Sequence, residues 1–333
     1  MRRIGLKIAA LLLAVALLPL AVACENKSND DERKIRVVCT LFPQYDWLRE
    51  IIGESEGVEL SLIIQNGSDL HSYEPTASDV LELSEADMVV YIGDEYEKWV
   101  GKALEQSGNK DTVRIELSEC EGIELHSISS ESEGHSHGHE GHGHDGHGHA
   151  ALDEHIWLSL DNALFACKTL ASTLAALDGD RADIYEKNAE RYAKELEALD
   201  AEFVDLLERA PQEDRFLLFC DRFPFVYLLE DYGVEYAAAF EGCSTDVDAD
   251  FATVLRLIKE ADAHSLSCVA VTESSDGKLA RTVLSSSRRG KGDIIVFNSL
   301  QSVSRGQIAD GLTYISSMRD NLNALARALG IKE

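Results

Sequence analysis

The sequence predicts an α/β protein of two (β/α) lobes with mostly parallel sheets and one long helix between them. Three observations carry this. Apolar runs of strand length alternate with amphipathic stretches both before residue 180 and after residue 210, and the segment between carries a single helical stripe. A chain of 333 residues that is 45 % hydrophobic is also large enough to bury a core in each of two lobes.

Residues 1–23 read as an export signal. Arg2, Arg3 and Lys7 precede an apolar run from Ile8 to Leu18, too short for a membrane span, and Ala21-Val22-Ala23 leads to Cys24. Small residues before a cysteine match a bacterial lipobox, in which Cys24 is acylated and becomes the mature N-terminus; an ordinary signal-peptidase cut after Ala23 is the alternative. Loss of the three cations of the leader moves the formal charge from −29 to −32. Residues 24–34 are polar without apolar periodicity, as a lipid-anchored tether would be.

The N-terminal lobe spans 35–179. "IRVVCTLF", "VELSLII" and "DMVVYIG" read as strands, while "FPQYDWLREIIG" and "PTASDVLELSEA" read as helices, the second with Pro75 as its first residue. Over 180–210, Tyr185, Ala189, Tyr192, Leu196, Leu199, Phe203 and Leu206 recur at steps of four and three, one face of a linking helix about 45 Å long. Asp180 is its expected cap, and Pro211 follows its end. The C-terminal lobe, 211–333, repeats the alternation through "RFLLFCD", "FATVLRLIKEADAH", "LSCVAVTE", "GDIIVFNSL" and a closing helix. Cys39, Cys120, Cys167, Cys220, Cys243 and Cys268 could pair after export, but no framework spacing appears; Cys39 and Cys268 sit in strand-like runs and read as small buried hydrophobes.

Sixty acidic against 31 basic residues disfavour nucleic acid and anionic surfaces and favour cations. Seven of the eleven histidines, His135, His137, His139, His142, His144, His147 and His149, crowd into the glycine-spaced stretch 134–149. Such a stretch has no apolar face, and imidazoles at steps of two and three residues bind divalent transition ions weakly on a mobile loop. Of the four histidines outside it, two lie on loops that enter helices. His71 lies in "NGSDLHSYEPTASDV", after a strand and before a helix, and His155 lies in "LDEHIWLSLDNA", again on a loop entering a helix. Open α/β sheets place ligands at strand carboxyl ends, where His71 falls, and together, in an acidic exported chain whose histidine-rich loop ends six residues before His155, both are candidate ligands.

"GSDLHSYEPTASDVLELSEADMVVYIG", "EYEKW", the histidine-rich loop, "DEHIWLS" and "YEKNAERYAKELEALDAEF" together resemble the zinc- and manganese-type solute-binding proteins of ABC importers, over about residues 35 to 330. The resemblance implies one metal ion in the cleft between the lobes, a rigid linking helix and little hinge motion. It carries the first two ligands to His71 and His155. A third histidine, usual after a strand of the second lobe, is replaced by Cys220, with Asp221 beside it as the alternate; the fourth position falls on Glu273, or less well on Asp276. Leu70 and Glu154 stand where proline usually precedes the two histidines.

Two imidazoles, a thiolate and a carboxylate suit Zn²⁺, whereas a set with two carboxylates would be more tolerant of Mn²⁺; water could also complete the shell. The expectation is a monomeric, lipid-anchored carrier on the outer face of a bacterial cytoplasmic membrane, periplasmic if an outer membrane is present, that captures Zn²⁺ and hands it to an ABC permease. No HExxH, nucleophile elbow or His-Asp-His cluster points to an enzyme. The alternatives are a manganese-specific carrier, or a surface zinc reservoir or adhesive lipoprotein acting through the loop.

Overall fold

Val37, Val38 and Cys39 are almost fully buried, because the strand that carries them lies inside a sheet covered on both faces. The computed structural model describes residues 33–68, 70–126, 152–241 and 249–331. Cys24, the leader, Cys243 and the histidine-rich stretch with its seven histidines lie outside the described residues.

The first lobe runs β1 (Ile35–Cys39), α1 (Phe42–Ile52), β2 (Val58–Leu62), α2 (Ala77–Ser84), β3 (Met88–Tyr91), α3 (Lys98–Ser107) and β4 (Val113–Glu116). Its four strands are all parallel in the order β2-β1-β3-β4. Helix α2 starts at Ala77, two residues later than Pro75 suggests. The reason is a capping box: Thr76 Oγ1 accepts from the Asp79 N–H at 3.3 Å, and the Asp79 carboxylate accepts from the Thr76 N–H at 2.6 Å. Pro75 is left in the lead-in.

After α4 (Leu160–Leu177), a 3₁₀ turn over Gly179–Arg181 feeds α5 (Ala182–Glu208), the linking helix. Its capping position falls on Arg181, which makes no side-chain cap, so Asp180 is spent in the turn. At 27 residues α5 is roughly 40 Å long. It buries Tyr185, Tyr192, Leu196, Leu199, Phe203 and Leu206, the stripe seen in the sequence, with Ala189 half-buried. That stripe packs on α4 and α1, and Phe203 stacks on Tyr232 of the second lobe at 4.7 Å.

The second lobe runs β5 (Phe216–Phe223), α6 (Val226–Asp231), β6 (Glu235–Glu241), α7 (Phe251–Ala263), β7 (Cys268–Thr272), α8 (Lys278–Ser286), β8 (Asp293–Phe297), α9 (Arg305–Ala309) and α10 (Tyr314–Ala328), which also packs on α5. Its parallel sheet, β6-β5-β7-β8, repeats the order of the first. Cys39 and Cys268 are buried, as their strand positions imply. Alternation along β5 separates two cores: Leu217 and Phe219 join a large apolar cluster that continues into the first lobe, while Leu218 and Cys220 face a smaller one with Leu257, Val269 and Val283. Direct bonds also tie the lobes. Arg305 donates its N–H to the Gln65 carbonyl at 2.9 Å, and Tyr314 donates its N–H to Asp46 at 2.6 Å. A core shared in this way resists wide opening, since separation would expose it to water.

Candidate metal centre

The loop after β2 carries His71 to the carboxyl end of the first sheet. Leu70 is 5 % exposed and packs in the large core, so burial anchors the residue before the histidine where a proline would have stiffened it. The His71 side chain keeps 28 % of its surface exposed.

His155 is held from several directions. It immediately precedes a 3₁₀ turn, Ile156–Leu158, whose three apolar residues are all buried, and Ser159 then caps α4 by accepting from the Asn162 N–H. The Trp157 indole N–H donates to the Ser299 carbonyl of the second lobe at 2.9 Å, and its ring stands edge-on to His155 at 5.2 Å. Asp153 Oδ1 accepts from the His155 backbone N–H at 2.8 Å and lies 2.8 Å from its Nδ1. An ionised carboxylate only accepts, so Nδ1 carries a proton, and Nε2 is the nitrogen that would bind an ion once its own proton is displaced. Asp153 is itself held: the Tyr227 hydroxyl of α6 donates to its carbonyl at 2.6 Å, and its N–H donates to the His126 carbonyl at 2.8 Å.

Between the two imidazoles lies Glu154. Its Oε1 is 2.8 Å from His71 Nε2 and 3.7 Å from His155 Nε2, and the two rings are 6.1 Å apart with 52° between their planes. One donor atom from each of His71, Glu154 and His155 can be chosen so that all three lie within 4.8 Å of one another. Burial alone would raise the Glu154 carboxyl; the charge of His155 and the hydrogen bond and charge of His71 outweigh it and hold the group at about 2. Two nitrogens and a carboxylate oxygen converging on one point can hold a divalent transition ion.

The other candidates lie outside this group of three. Cys220 is 2 % exposed in the smaller core of the second lobe, and burial, with Asp221 nearby, pushes its thiol up to about 12. The Asp221 carboxylate accepts from the Thr272 hydroxyl at 2.7 Å and its N–H at 3.3 Å. Glu273 accepts from the Ser299 N–H at 2.8 Å and hydroxyl at 2.6 Å, and Asp276 is an exposed partner of Lys278. The sequence reading passed over Asp153 and treated Glu154 only as a missing proline. The signal was present in "DEH", two carboxylates directly before a histidine entering a helix.

With that geometry in place, comparison with known proteins is decisive on kinship. The family model described as the zinc-uptake complex component A, periplasmic, matches residues 37–328. The chain belongs to this family. It is 31 % identical over 316 residues to the zinc-binding lipoprotein AdcA of Streptococcus pneumoniae, an alignment covering 95 % of this chain and 60 % of AdcA. It thus spans about 60 % of that relative's length. It is also 31 % identical over 319 residues to the high-affinity zinc uptake system protein ZnuA of Bacillus subtilis, covering 94 % of this chain and 95 % of that one. The crystal structure of the Zn(II)-bound ZnuA-like domain of S. pneumoniae AdcA superposes with a TM-score of 0.68 at 25 % identity, over 89 % of this chain and 99 % of that domain. Two parallel-sheet lobes joined by a long helix are therefore the family's architecture here. Among the described residues, no helix is long and apolar enough to cross a membrane.

Proposed function

We propose that this protein captures Zn²⁺ outside the cytoplasm, at His71 and His155, and delivers it to an ABC permease, tethered to the membrane through an acylated Cys24. The observation that carries the reading is that one donor atom from each of His71, Glu154 and His155 lies within 4.8 Å of the others. Membership of a zinc-uptake family and likeness to the zinc-binding lipoprotein AdcA and the zinc uptake system protein ZnuA support zinc as the cargo and an importer as the partner.

The chemistry is coordination and release, with no bond made or broken in a substrate. His155 is rigid: it is fully buried, fixed at Nδ1 by Asp153 and flanked by Trp157. His71 is half-exposed on a loop and is the side from which the ion arrives and leaves. The shared core keeps the lobes from opening widely, so a docked permease releases zinc by shifting the His71 loop and not by swinging a lobe. Protons compete with zinc for both imidazoles, so acidification weakens capture.

The test is zinc affinity by chelator competition on the soluble chain carrying His71→Ala or His155→Ala. Each variant should lose the tight ion while keeping its melting behaviour. Tight zinc binding retained in either one would contradict the reading.

A further inference from the structure

His71 and His155 are far apart in sequence and ride on separate loops, so an ion is held tightly only if something fixes the spacing between them. Each is braced within the first lobe, His71 by its neighbour Leu70 in the core and His155 by Asp153. One segment of the second lobe, residues 298–305, reaches both. Near its start, the Ser299 carbonyl accepts from the Trp157 indole N–H at 2.9 Å, and the Trp157 ring stands edge-on to His155. At its end, Ser304 forms an antiparallel bridge with Asn66, and the Arg305 N–H donates to the Gln65 carbonyl at 2.9 Å, on the stem of the His71 loop.

The segment is built as a rigid piece. Leu300 has a φ of 63°, in the left-handed region that leucine avoids, and it is fully buried in the core shared by the lobes. Its N–H donates to the Asn298 side-chain oxygen at 2.9 Å. Asn298 is gripped by the Asn321 amide of α10, its N–H donating at 2.8 Å and its carbonyl accepting at 2.9 Å. Glu273 fixes Ser299 through the N–H and the hydroxyl, and Val303 is buried in the same core as Leu300. A strained backbone persists only where its surroundings over-determine it, so the segment behaves as one body.

Resting on the zinc-carrier reading, we propose that residues 298–305 form a strut by which the second lobe sets the spacing of His71 and His155, with the Ser299 carbonyl and the Arg305 N–H as its two positioning contacts. It acts through Trp157 at one end and through the Gln65–Asn66 stem at the other. A tetrahedral ion with metal bonds of about 2.0–2.1 Å needs its two nitrogens roughly 3.3 Å apart, and ordering a loose pair at the moment of binding lowers affinity. Because one rigid piece serves both loops, freeing either end frees the spacing. The two contacts therefore act together and not as independent supports.

The experiment measures zinc affinity by chelator competition in the intact chain and its variants. Arg305→Pro removes the N–H at one end; Arg305 is the first residue of α9 and follows Ser304 in an extended conformation, so proline suits its backbone. Trp157→Phe removes the donor at the other end and keeps a ring at that position. Each should weaken zinc by roughly 10–100-fold, the range for groups that orient a ligand, while urea denaturation shows the metal-free chain still folded. Arg305→Ala restores the N–H and should bring the affinity back to within about threefold of the parent, as expected if the backbone contact alone matters. The double variant should be no more than about threefold weaker than the worse single one, whereas independent supports would multiply their losses. Multiplied losses, equal losses in Arg305→Ala and Arg305→Pro, or either folded single variant with the affinity of the parent would each overturn the strut. If Trp157→Phe does not fold, the Arg305 pair on the exposed helix end decides the question. Failure of the carrier reading looks different: there, His71→Ala keeps tight zinc as well, whereas failure of the strut alone leaves His71→Ala without it.

Discussion

Asp153→Asn isolates the residue that aims His155. In the folded chain Asp153 is 1 % exposed, and its Oδ1 takes both the backbone N–H and the Nδ1 proton of His155. Asparagine fits the same space but removes the charge. Its amide can meet Nδ1 with an oxygen, a weaker neutral acceptor, or with its NH₂, which drives the imidazole to the tautomer whose Nε2 is protonated and useless to zinc. Losing such an outer carboxylate lowers metal affinity by roughly 10–100-fold, or about 1.4–2.7 kcal/mol. Chelator competition at fixed pH reads the affinity, and urea denaturation of the metal-free chain checks that the fold is intact. A decrease in that range, smaller than that of His155→Ala, is expected. Affinity within threefold of the parent, with the fold intact, would refute the claim that Asp153 fixes the tautomer. Tyr227→Phe, which removes the hydroxyl that donates to the Asp153 carbonyl and accepts from the His126 N–H, should weaken zinc less than Asp153→Asn does.

Deleting residues 134–149 should lower the total zinc bound per chain, measured by elemental analysis, while one tight ion persists; loss of that ion would make the loop the main site. Glu97 is fully buried and its carboxylate accepts from the Ile92 N–H at 2.6 Å; burial raises it from an ordinary 4.5 to about 7. Because the folded state holds this proton more tightly than the unfolded one, the stabilisation is complete below pH 4.5 and is lost as pH rises to 7, on the order of 3 kcal/mol in all. Glu97→Gln should flatten that part of a stability-against-pH curve, and an unchanged slope would contradict the assignment. Phe203→Ala empties a fully buried site in the linking helix and unstacks Tyr232, so urea denaturation should show a loss of about 3–5 kcal/mol; a loss under about 1 kcal/mol would mean that α5 does not brace the second lobe.

Much of the fold was legible because periodicity is a direct consequence of burial. The stripe from Tyr185 to Leu206 faces the core as its spacing requires, and the near-continuous apolar runs of β1 and β3 reflect sheets covered on both faces. Helix starts were less legible. Pro75 and Asp180 both carry good start signals, but the capping box at Thr76 and the 3₁₀ turn before Ala182 displaced the starts by local hydrogen bonding. In the site, His71 and His155 stood out because each lies on a loop entering a helix, His71 directly after a strand. The commitments of Cys220, Asp221 and Glu273 did not, because which face of β5 a residue takes, and which hydroxyl claims a carboxylate, are tertiary facts. Glu154 was masked by its neighbour. Compared with a pattern that expects proline there, a glutamate reads as a loss, and only the meeting of two distant loops sets its carboxylate between the two imidazoles.

The most direct test is a crystal structure of the zinc-loaded chain with an anomalous difference map recorded at the zinc edge. The account predicts a single dominant peak at about 2.0–2.1 Å from one ring nitrogen of both His71 and His155. A dominant peak anywhere else, or one in the cleft bonded to neither imidazole, would contradict it.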